Sequence, residues 1–229
     1  MKSLLLRVQA HQAHKRMIRL PKAWIQDRKR EYYYKKAKEE NYRSRATYKL
    51  VQANAKYGFI KRNDVVVDLG AAPGGWIQAA RKITGKNGYV LGVDLKPIDP
   101  FTQEYIRTII ADISEPNIAE QIRSFLPHEA DVVISDAAPN ITGVWEVDQA
   151  RQIDLATKAL EIAQCILKPR GNLFVKLFEG EMFNDFILKV KDLFDILKIV
   201  KPQASRAKSS EMYLLALGLK SKSKREEET

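Results

Sequence analysis

Lys176 is the residue whose chemical type fits its surroundings least. It lies in the segment LFVKLF, residues 173–178, where every other side chain is apolar. A lysine is almost never buried without a partner, and removal from water favours the neutral amine, which can accept a proton. The segment therefore indicates either a general base on a buried strand or an edge-strand lysine that reaches out to solvent.

A second candidate site is the segment VVVDLGAAPGGW, residues 65–76, in which an apolar run leads through Asp68 into a glycine-rich turn. In this turn, Gly70, Gly74 and Gly75 allow a wide range of backbone angles, whereas Pro73 restricts them. Glycine lets a ligand approach the backbone and can take positive φ, whereas proline fixes the chain. The pattern predicts a buried parallel strand, a tight loop and a helix that begins at Trp76, and ligands bind beyond the carboxyl ends of such strands. A turn without a ligand is the alternative, which three glycines beside an acid disfavour.

The chemistry of this turn favours a cationic ligand over a pyrophosphate. The turn has neither the G-x-G-x-x-G pattern of dinucleotide-binding proteins nor the Gly-Lys-Ser/Thr ending of a P-loop. A NAD-dependent dehydrogenase is therefore disfavoured. An acid at the strand end suits a ligand with a positive group, such as the amino group of S-adenosylmethionine (SAM), and Asp68 is our candidate for that contact.

Three further predicted strands also end in acids. Asp94 is placed to accept both ribose hydroxyls of an adenosine. Asp112 could contact an adenine edge, although an acid in that place can equally cap a helix. Asp136 lies in the segment SDAAP, residues 135–139. Four acids at successive strand ends predict a binding crevice along one edge of a sheet.

Alternating strands and helices would position these residues. The predicted strands are Val65–Leu69, Tyr89–Asp94, Arg107–Ala111, Asp131–Ser135, Gly171–Phe178, Ile196–Lys201 and Met212–Gly218. The predicted helices are Ser44–Tyr57, Trp76–Ile83, Pro116–Phe125, Asp148–Leu167 and Glu181–Phe194. The chain is therefore predicted to be an α/β protein with a seven-stranded, mostly parallel sheet and helices on both faces. One of the last two strands should run antiparallel, because only a loop joins them.

Charge is distributed unevenly along the 229 residues. Residues 1–62 contain 18 Lys and Arg against 4 Asp and Glu, whereas the remaining 167 residues contain 21 against 24. Such a basic third on a nearly neutral domain indicates a polyanionic partner. Aromatic residues lie among these basic ones, at Trp24 and Tyr32–Tyr34, which favours RNA over a merely solvated tail. Residues 31–42 fit a charged helix or an arm that folds on RNA.

The other totals exclude several classes of protein. No run of apolar residues approaches the ~18 that cross a membrane, and the N-terminal apolar run is too short for a secretory leader. The single cysteine, Cys165, excludes an internal disulfide; its apolar surroundings predict a small core residue in a protein of the reducing cytoplasm. His11 and His14 have no cysteine nearby, so we expect no metal site.

Five motifs, taken together and in order, resemble the FtsJ/RrmJ family of SAM-dependent RNA 2′-O-ribose methyltransferases. They are YRSRATYKL at 42–50, DLGAAPGGW at 68–76, SDAAP at 135–139, VKLF at 175–178 and SSEMY at 209–213. The resemblance runs from Tyr42 to Leu217. It implies a Rossmann-like class I SAM-dependent methyltransferase domain at 42–219. The charge distribution predicts a basic RNA-binding extension at 1–41, and the low apolar content of the charged tail at 220–229 predicts disorder.

The resemblance also implies roles for individual residues. The family's catalytic Lys-Asp-Lys-Glu tetrad corresponds to Lys49, Asp136, Lys176 and Glu211. By themselves, Lys49 and Glu211 look like ordinary surface residues. SAM contacts are expected at Asp68, Gly70, Pro73, Gly74, Gly75, Trp76, Asp94, Asp112 and Asp136.

The implied reaction moves a methyl group from SAM to a ribose 2′-hydroxyl of RNA, with a uridine of large-subunit ribosomal RNA as the first expectation. Transfer RNA is the alternative substrate, and a catalytically silent ribosome-assembly factor on the same fold is the alternative of a different class. An intact tetrad argues against the silent factor. We expect a monomer that binds RNA without a metal.

Overall fold

Seven strands form one sheet within residues 22–205 and 209–221, which are the residues that the computed structural model describes. The strands are β1 (Val65–Leu69), β2 (Tyr89–Asp94), β3 (Ile106–Ile110), β4 (Ala130–Ser135), β5 (Leu167–Phe178), β6 (Phe194–Val200) and β7 (Glu211–Leu219). All seven predicted strands are present, and β1 and β2 have the predicted bounds. Most of the predicted N-terminal extension, residues 1–21, and of the predicted tail, residues 222–229, lies outside the described residues.

The strand order is β3-β2-β1-β4-β5-β7-β6. Strands β1 to β5 pair in parallel, and β7 runs antiparallel to both of its neighbours. This confirms the predicted sheet with one antiparallel strand. The antiparallel strand has a consequence for function, because it brings its first residues to the edge where the parallel strands end.

Six helices accompany the sheet in the described part of the chain. They are α1 (Lys22–Glu39), α2 (Thr47–Tyr57), α3 (Gly75–Thr84), α4 (Ile118–Ser124), α5 (Trp145–Ile166) and α6 (Phe183–Leu193). Residues 31–42 are predicted to be a charged helix or an arm. Residues 31–39 are helical and belong to α1, which begins at Lys22. The longest helix, α5, begins three residues before its predicted start, since Asp148 binds the backbone of the preceding loop instead of starting the helix.

The two faces of the sheet are covered by different helices. Along β1, Val65, Val67 and Leu69 pack toward α4, α5 and α6, whereas Val66 packs toward α2 and α3. We call the second face the α2–α3 face. Because side chains alternate along a strand, Asp68 lies on the α2–α3 face as well. Phe174 and Tyr213 belong to the same face, so Lys176 follows them there.

An aromatic stack forms the core of the α2–α3 face. The rings of Phe174 and Tyr213 are 4.9 Å apart and nearly parallel, and Trp76 stacks on Phe174 at 5.7 Å. All three residues are buried. Aromatic pairs of this kind add about 0.5–1.5 kcal/mol each beyond the area they bury. The stack therefore supports the edge of the sheet where the predicted site residues emerge.

The prediction that Cys165 is a core residue is wrong. Cys165 is exposed near the end of α5, although Ile162, Ala163 and Ile166 around it are buried. The helix turns by about 100° per residue, so an apolar stretch alone did not show which of its positions faces the solvent.

Candidate active site

Four charged side chains meet at the carboxyl edge of the sheet. The amine of Lys176 lies 2.9 Å from Asp136 Oδ1, and the amine of Lys49 lies 2.8 Å from Glu211 Oε2. Two longer contacts close the cluster, at 3.6 Å between Lys49 and Asp136 and at 3.7 Å between Lys176 and Glu211. The structure thus brings together all four residues of the predicted tetrad.

The register of the strands explains why three of these residues meet. Ser135 of β4 pairs with Val175 of β5, so Asp136 and Lys176 follow side by side. Lys176 is registered against Tyr213 of β7, and Phe178 against Glu211. Residues directly opposite on an antiparallel pair point to the same face. The fourth residue, Lys49, comes from α2, which packs on this face.

Burial makes the four charges depend on one another. Their side chains are only 8–16% exposed, and the whole Lys176 residue is 6% exposed. The edge-strand alternative for Lys176 is therefore excluded. Removing one partner of a buried ion pair leaves an uncompensated charge and typically costs about 3–5 kcal/mol.

The pKa of Asp136 shows how the cluster is balanced. Burial by itself would raise this pKa, but Lys176, Lys49 and the hydroxyl of Tyr213 together hold it below its ordinary value. The Tyr213 hydroxyl donates to Asp136 Oδ1 at 2.6 Å. Burial and the neighbouring carboxylates raise the pKa of Tyr213 well above its ordinary value. Asp136 therefore remains an anion and Tyr213 a neutral donor near neutral pH.

Three residues that sequence reasoning missed hold the cluster in place. Tyr213 anchors Asp136 through its hydroxyl. Ser205 Oγ donates to Glu211 Oε1 at 2.9 Å. Gln152 of α5 donates to the carbonyl groups of Lys176 and Ala137, at 3.1 and 3.2 Å. The motif at 209–213 included Tyr213, but nothing local in the sequence pointed to Ser205 or Gln152.

Helix α1 is linked to the same cluster through hydrogen bonds. Gln52 of α2 donates to the hydroxyl of Tyr33 at 2.8 Å and accepts from the backbone N–H of Ala204 at 3.0 Å. Ala204 precedes Ser205, which binds Glu211. The position of Glu211 is thus coupled to the loop before β7 and to α1.

A cleft of about 560 Å³ opens beside the cluster at the ends of β1, β2 and β4. Part of its lining comes from residues at or just beyond the predicted strand ends, namely Gly70, Asp94, Asp112 and Asp136, and Arg151 and Asp154 of α5 add two charged side chains. The apolar side chains of Leu95, Ile113 and Leu155 line it too, which suits a flat aromatic ligand. Of the nine predicted cofactor residues, Gly70, Asp94, Asp112 and Asp136 line this cleft.

Gly70 must be glycine for the loop to pass beside β4. Its φ is +75°, and a Cβ at this position would lie 2.7 Å from the Cβ of Ala137. The backbone N–H groups of Gly70 and Ala71 both donate to the carbonyl of Val93, which fixes the loop against β2. The backbone of the loop is therefore fixed where it lines the cleft.

Asp94 and Asp112 use only part of their hydrogen-bonding capacity within the protein. Each oxygen of Asp94 accepts one backbone N–H, from Ala72 and Lys96, both at 2.8 Å. Asp112 accepts the N–H of Ser114 at 2.8 Å, so this acid both stabilises a turn and faces the cleft. A carboxylate can accept about four hydrogen bonds, which leaves both residues able to bind ligand hydroxyl or amino groups.

Asp68 differs from every other acid near the cleft. It is 1% exposed, and neither of its oxygens has a hydrogen-bond partner in the described structure. Burial, and then the charges of Asp136 and Asp94, raise its pKa well above the ordinary value. A buried carboxylate without a partner is costly, so the position is suited to a cationic group.

The remaining predicted cofactor residues lie behind or beside the loop. Trp76 is buried in the aromatic stack, and its indole N–H donates to the carbonyl of Ala46 at 2.8 Å. Gly75 packs against Ser44 and Thr47, while Gly74 packs against Phe101 and Arg43. Pro73 is exposed, and its carbonyl accepts from Arg43. These four residues shape the loop, and direct contact between them and a cofactor stays a prediction.

Neither a metal nor a membrane is indicated by the described residues. Within 22–205 and 209–221, no three His, Cys, Asp or Glu side chains are arranged to hold a metal ion. None of the helices α1 to α6 is long and apolar enough to span a bilayer.

Sequence comparison places the site in a known context. The profile of FtsJ-like methyltransferases matches residues 42–219. The ribosomal RNA large subunit methyltransferase E of Methanocaldococcus jannaschii is 48% identical over 203 residues, covering 87% of this chain and 83% of that protein. The protein of the same name from Methanosarcina acetivorans is 54% identical over 188 residues, covering 82% and 68%.

Solved structures show the same fold. A Plasmodium falciparum protein, provisionally named a ribosomal RNA methyltransferase, is 27% identical and superposes with a TM-score of 0.68 over 78% of this chain and 98% of its own. Fibrillarin of Aeropyrum pernix, crystallised with natively bound SAM, is 18% identical with a TM-score of 0.55, covering 76% and 75%. At that identity, fibrillarin supports the Rossmann-like fold alone.

The lining of the cleft fits SAM, together with Asp68, which is buried next to Asp94 and Asp136 and does not itself line the cleft. The unpartnered carboxylate of Asp68 is suited to its ammonium group, and the free capacity of Asp94 is suited to its ribose hydroxyls. Asp112 and the apolar lining are suited to its adenine. The fit rests on the unpaired buried oxygens of Asp68 and on the free hydrogen-bonding capacity of Asp94 in the cleft.

The first prediction concerns Asp68→Asn. A folded-state pKa above the unfolded value means that this acid stabilises the fold fully at low pH and that the contribution disappears as pH rises toward the folded pKa. Without SAM, the variant should therefore melt at a higher temperature than the wild type, by a margin that grows as the pH rises above the ordinary pKa of an aspartate. SAM should bind roughly 10- to 100-fold more weakly, since a hydrogen bond to a charged group contributes about 1.5–3 kcal/mol.

Calorimetric SAM titrations and thermal melts at several pH values measure both effects. Asp185→Asn is a matched control, because Asp185 lies on α6, away from the residues that line the cleft. Unchanged SAM affinity in Asp68→Asn would contradict the assignment of Asp68.

Proposed function

Because the chain belongs to the FtsJ-like methyltransferase family, we propose that it transfers a methyl group from SAM to a ribose 2′-hydroxyl of large-subunit ribosomal RNA, with a uridine as the target nucleotide. The observation that carries the proposal is the buried amine of Lys176, held by Asp136 beside a cleft that fits SAM. Relatives at 48% and 54% identity bear the name ribosomal RNA large subunit methyltransferase E, which supports ribosomal RNA as the substrate.

Lys176 is the group that would bind the reacting hydroxyl. Its nitrogen has two close partners, Asp136 Oδ1 at 2.9 Å and the Asp136 carbonyl at 3.0 Å. Glu211 at 3.7 Å is too far for a hydrogen bond. An amine has room for a third partner, and a ribose 2′-hydroxyl is suited to that position.

The other three residues control where the proton goes. Methyl transfer would form the bond between the 2′-oxygen and the methyl carbon and break the bond from that carbon to the sulfonium sulfur, which leaves S-adenosylhomocysteine. Lys176 would accept the hydroxyl proton after releasing one of its own, and Asp136 and Glu211 would stabilise the ammonium that results. Lys49 compensates Glu211 and Asp136, so that the two carboxylates do not repel each other. Because these groups are coupled, the proton affinity belongs to the cluster and not to one side chain.

SAM supplies a methyl group that its sulfonium already activates, so the protein mainly has to align it with the hydroxyl. Alignment of two reactants alone can lower a barrier by about 7–11 kcal/mol. Asp68, Asp94 and Asp112 would hold the cofactor, and the rigid loop at Gly70 would fix its position relative to Lys176.

Methyl transfer from tritiated SAM tests the proposal directly. Hypomethylated ribosomal RNA, intact large subunits and unmodified transfer RNA are offered in parallel, and the labelled ribose is located by its resistance to alkali. We expect one resistant uridine in the large-subunit RNA. Label in transfer RNA would contradict the assignment of ribosomal RNA as the substrate. SAM binding without label in any RNA would favour the silent assembly factor.

The second prediction concerns the catalytic amine. Lys176→Ala should reduce methyl transfer to background, because the reacting hydroxyl loses the amine that is expected to bind it and to take its proton. SAM affinity should stay within about twofold of the wild type, since the amine is expected to contact the substrate and not the cofactor. Radiolabel incorporation and calorimetry measure the two quantities.

Lys158→Ala is the matched control for this prediction. Lys158 forms a solvent-exposed ion pair with Glu161 on α5, and such pairs contribute little. Thermal melts confirm that Lys176→Ala is folded. Strong loss of SAM binding in a folded Lys176→Ala protein would contradict the role given to this amine.

We also propose that the basic N-terminal region binds the RNA backbone. In the described part of this region, α1 carries Lys35, Lys36 and Lys38. It exposes Tyr32 and Tyr34 to solvent. The amine of Lys38 lies 4.8 Å from the centre of the Tyr34 ring. Cations interleaved with open aromatic rings are suited to phosphates and unstacked bases.

The third prediction follows from this proposal. Removal of residues 1–21 deletes five Lys and Arg but leaves α1 in place. RNA affinity should fall, and the slope of log K against log[salt] should decrease by about 0.7–0.9 for each phosphate that the shortened protein no longer neutralises. SAM affinity should be unchanged. Fluorescence anisotropy with labelled RNA at several salt concentrations gives the slope.

The C-terminal residues provide a control of matched kind. Residues 222–229 contain three basic and three acidic residues, so their removal leaves the net charge unchanged. That truncation should not alter the salt slope. An unaltered slope after removal of residues 1–21 would count against the basic region as an RNA contact.

A further inference from the structure

Trp145 is an aromatic residue near the charged cluster that has no role in the proposed methyl transfer. It begins α5, and its indole stacks on the ring of Phe178 with centroids 5.9 Å apart and planes 22° apart. Even with this contact, 43% of the residue is exposed. By contrast, Trp76 is buried in the core. An exposed tryptophan stacked on one side is costly to leave in water and is typical of a binding surface.

The register of β5 places this aromatic pair close to the reacting amine. Phe178 and Lys176 are two residues apart on one strand, so both point to the α2–α3 face. Their Cα atoms are therefore about 7 Å apart. Phe178 is also registered against Glu211, which belongs to the cluster. Although α5 covers the other face of the sheet, its first residue thus contacts a ring that is registered beside the cluster.

The backbone that carries Trp145 is tightly held. The carboxylate of Asp148 accepts from the N–H and the hydroxyl of Thr142, at 2.7 and 2.8 Å, and from the N–H of Gly143 at 3.1 Å. These bonds lower the pKa of Asp148, so the loop before α5 stays closed on the first turn of the helix near neutral pH.

The segment on the other side of Phe178 is held as well. The side-chain oxygen of Gln149 can accept from the N–H groups of Glu181 and Met182, at 2.7 and 3.2 Å. Gly180 leaves the space that the Gln149 side chain fills. Both supports of the ring pair are therefore fixed before any ligand binds, which lowers the entropic cost of stacking.

We propose that Trp145, backed by Phe178, is a stacking platform for one unpaired nucleobase of the substrate RNA, next to the reacting ribose. The proposal rests on the proposed function, because the occupant is identified by the ribose that must reach Lys176. In a nucleotide, the base and the 2′-hydroxyl are attached to neighbouring carbons of the ribose. A hydroxyl at Lys176 therefore brings a base within reach of a ring two residues further along the strand.

A nucleobase fits this surface better than a protein partner does. The same segment exposes Ile141, Val144 and Val147, which could support an apolar protein contact. However, a protein bound over Trp145 would lie across the border of the catalytic cluster and obstruct the RNA. Sequence-specific recognition of RNA commonly uses unstacked bases on aromatic rings, and removal of a stacking ring typically weakens binding by roughly tenfold or more.

The fourth prediction tests the platform by kinetics. Trp145→Ala should lower kcat/KM for RNA by about tenfold or more, while Trp145→Phe should retain most of the activity because a ring remains. SAM affinity should be unchanged in both. Ile196→Ala is the matched control. Ile196 is an exposed apolar residue that lines a cavity at the opposite end of the sheet, and its truncation should leave kcat/KM for RNA unchanged.

Abasic RNA identifies the base that stacks. Substrates that lack the base at the target nucleotide, or at either neighbouring nucleotide, are compared with the wild type and with Trp145→Ala. At one of these positions, loss of the base should slow the wild type by about as much as Trp145→Ala does, with no further loss when both changes are combined. Independent, multiplicative losses at all three positions would overturn the proposal.

The outcomes separate this inference from the proposed function. If the wild type methylates RNA and Trp145→Ala matches Ile196→Ala, the platform is wrong and the function stands. If no RNA is methylated, the proposed function fails, and fluorescence quenching by RNA still tests the platform. Because Trp76 also emits, quenching is compared between Trp24→Phe and Trp24→Phe/Trp145→Phe, and the difference is the quenching of Trp145. Lack of quenching on RNA binding would then overturn it.

Discussion

The mutual compensation of four buried charges is the constraint on which this structure depends. Lys49, Asp136, Lys176 and Glu211 are each mostly removed from water, and none would remain charged there alone. Three strands and one helix must therefore bring these side chains to contact distances of 2.8–3.7 Å. The antiparallel direction of β7 is part of this requirement, because it brings Glu211 to the edge where the parallel strands end.

The site also contains a buried acid that has no compensating partner. Asp68 lies on the same sheet face but has no partner in the described structure, and its pKa is raised accordingly. The cluster and Asp68 thus differ: the four charges compensate one another without a ligand, whereas Asp68 has no partner, which supports its proposed contact with the ammonium group of SAM. Functional sites commonly contain residues that lower the stability of the fold. At this site, that residue is Asp68, which precedes the rigid loop at Gly70.

The rest of the fold holds these charges still. The stack of Trp76, Phe174 and Tyr213 packs on the α2–α3 face of the sheet, and the Tyr213 hydroxyl donates a hydrogen bond to Asp136. From the other side, Gln52 joins Tyr33 of α1 to the loop that carries Ser205. An N-terminal region proposed to bind RNA is thereby in contact with the residues that position Glu211. At the rim, the Asp148 bonds hold Trp145 next to the same strand ends.

Much of the architecture follows from local patterns in the sequence. β-Branched runs such as residues 65–67 specify buried strands, glycines after an acid specify the turn, and all seven strands were predictable from these signals. Strand ends also showed that Asp68, Asp94, Asp112 and Asp136 would share one edge, because parallel strands end together. The apolar neighbours of Lys176 showed that its amine would be buried.

Only the tertiary structure decided which residues complete the site. Lys49 and Glu211 are 162 positions apart and look ordinary in their own segments, so only the resemblance of the motifs linked them to Lys176. Ser205, Gln152 and the Trp145–Phe178 pair gave no local signal, and Cys165 was placed on the wrong side of its helix. Periodicity describes which side of an element is apolar, whereas a site is formed by contacts between elements, and these depend on strand register and helix packing that no single segment contains.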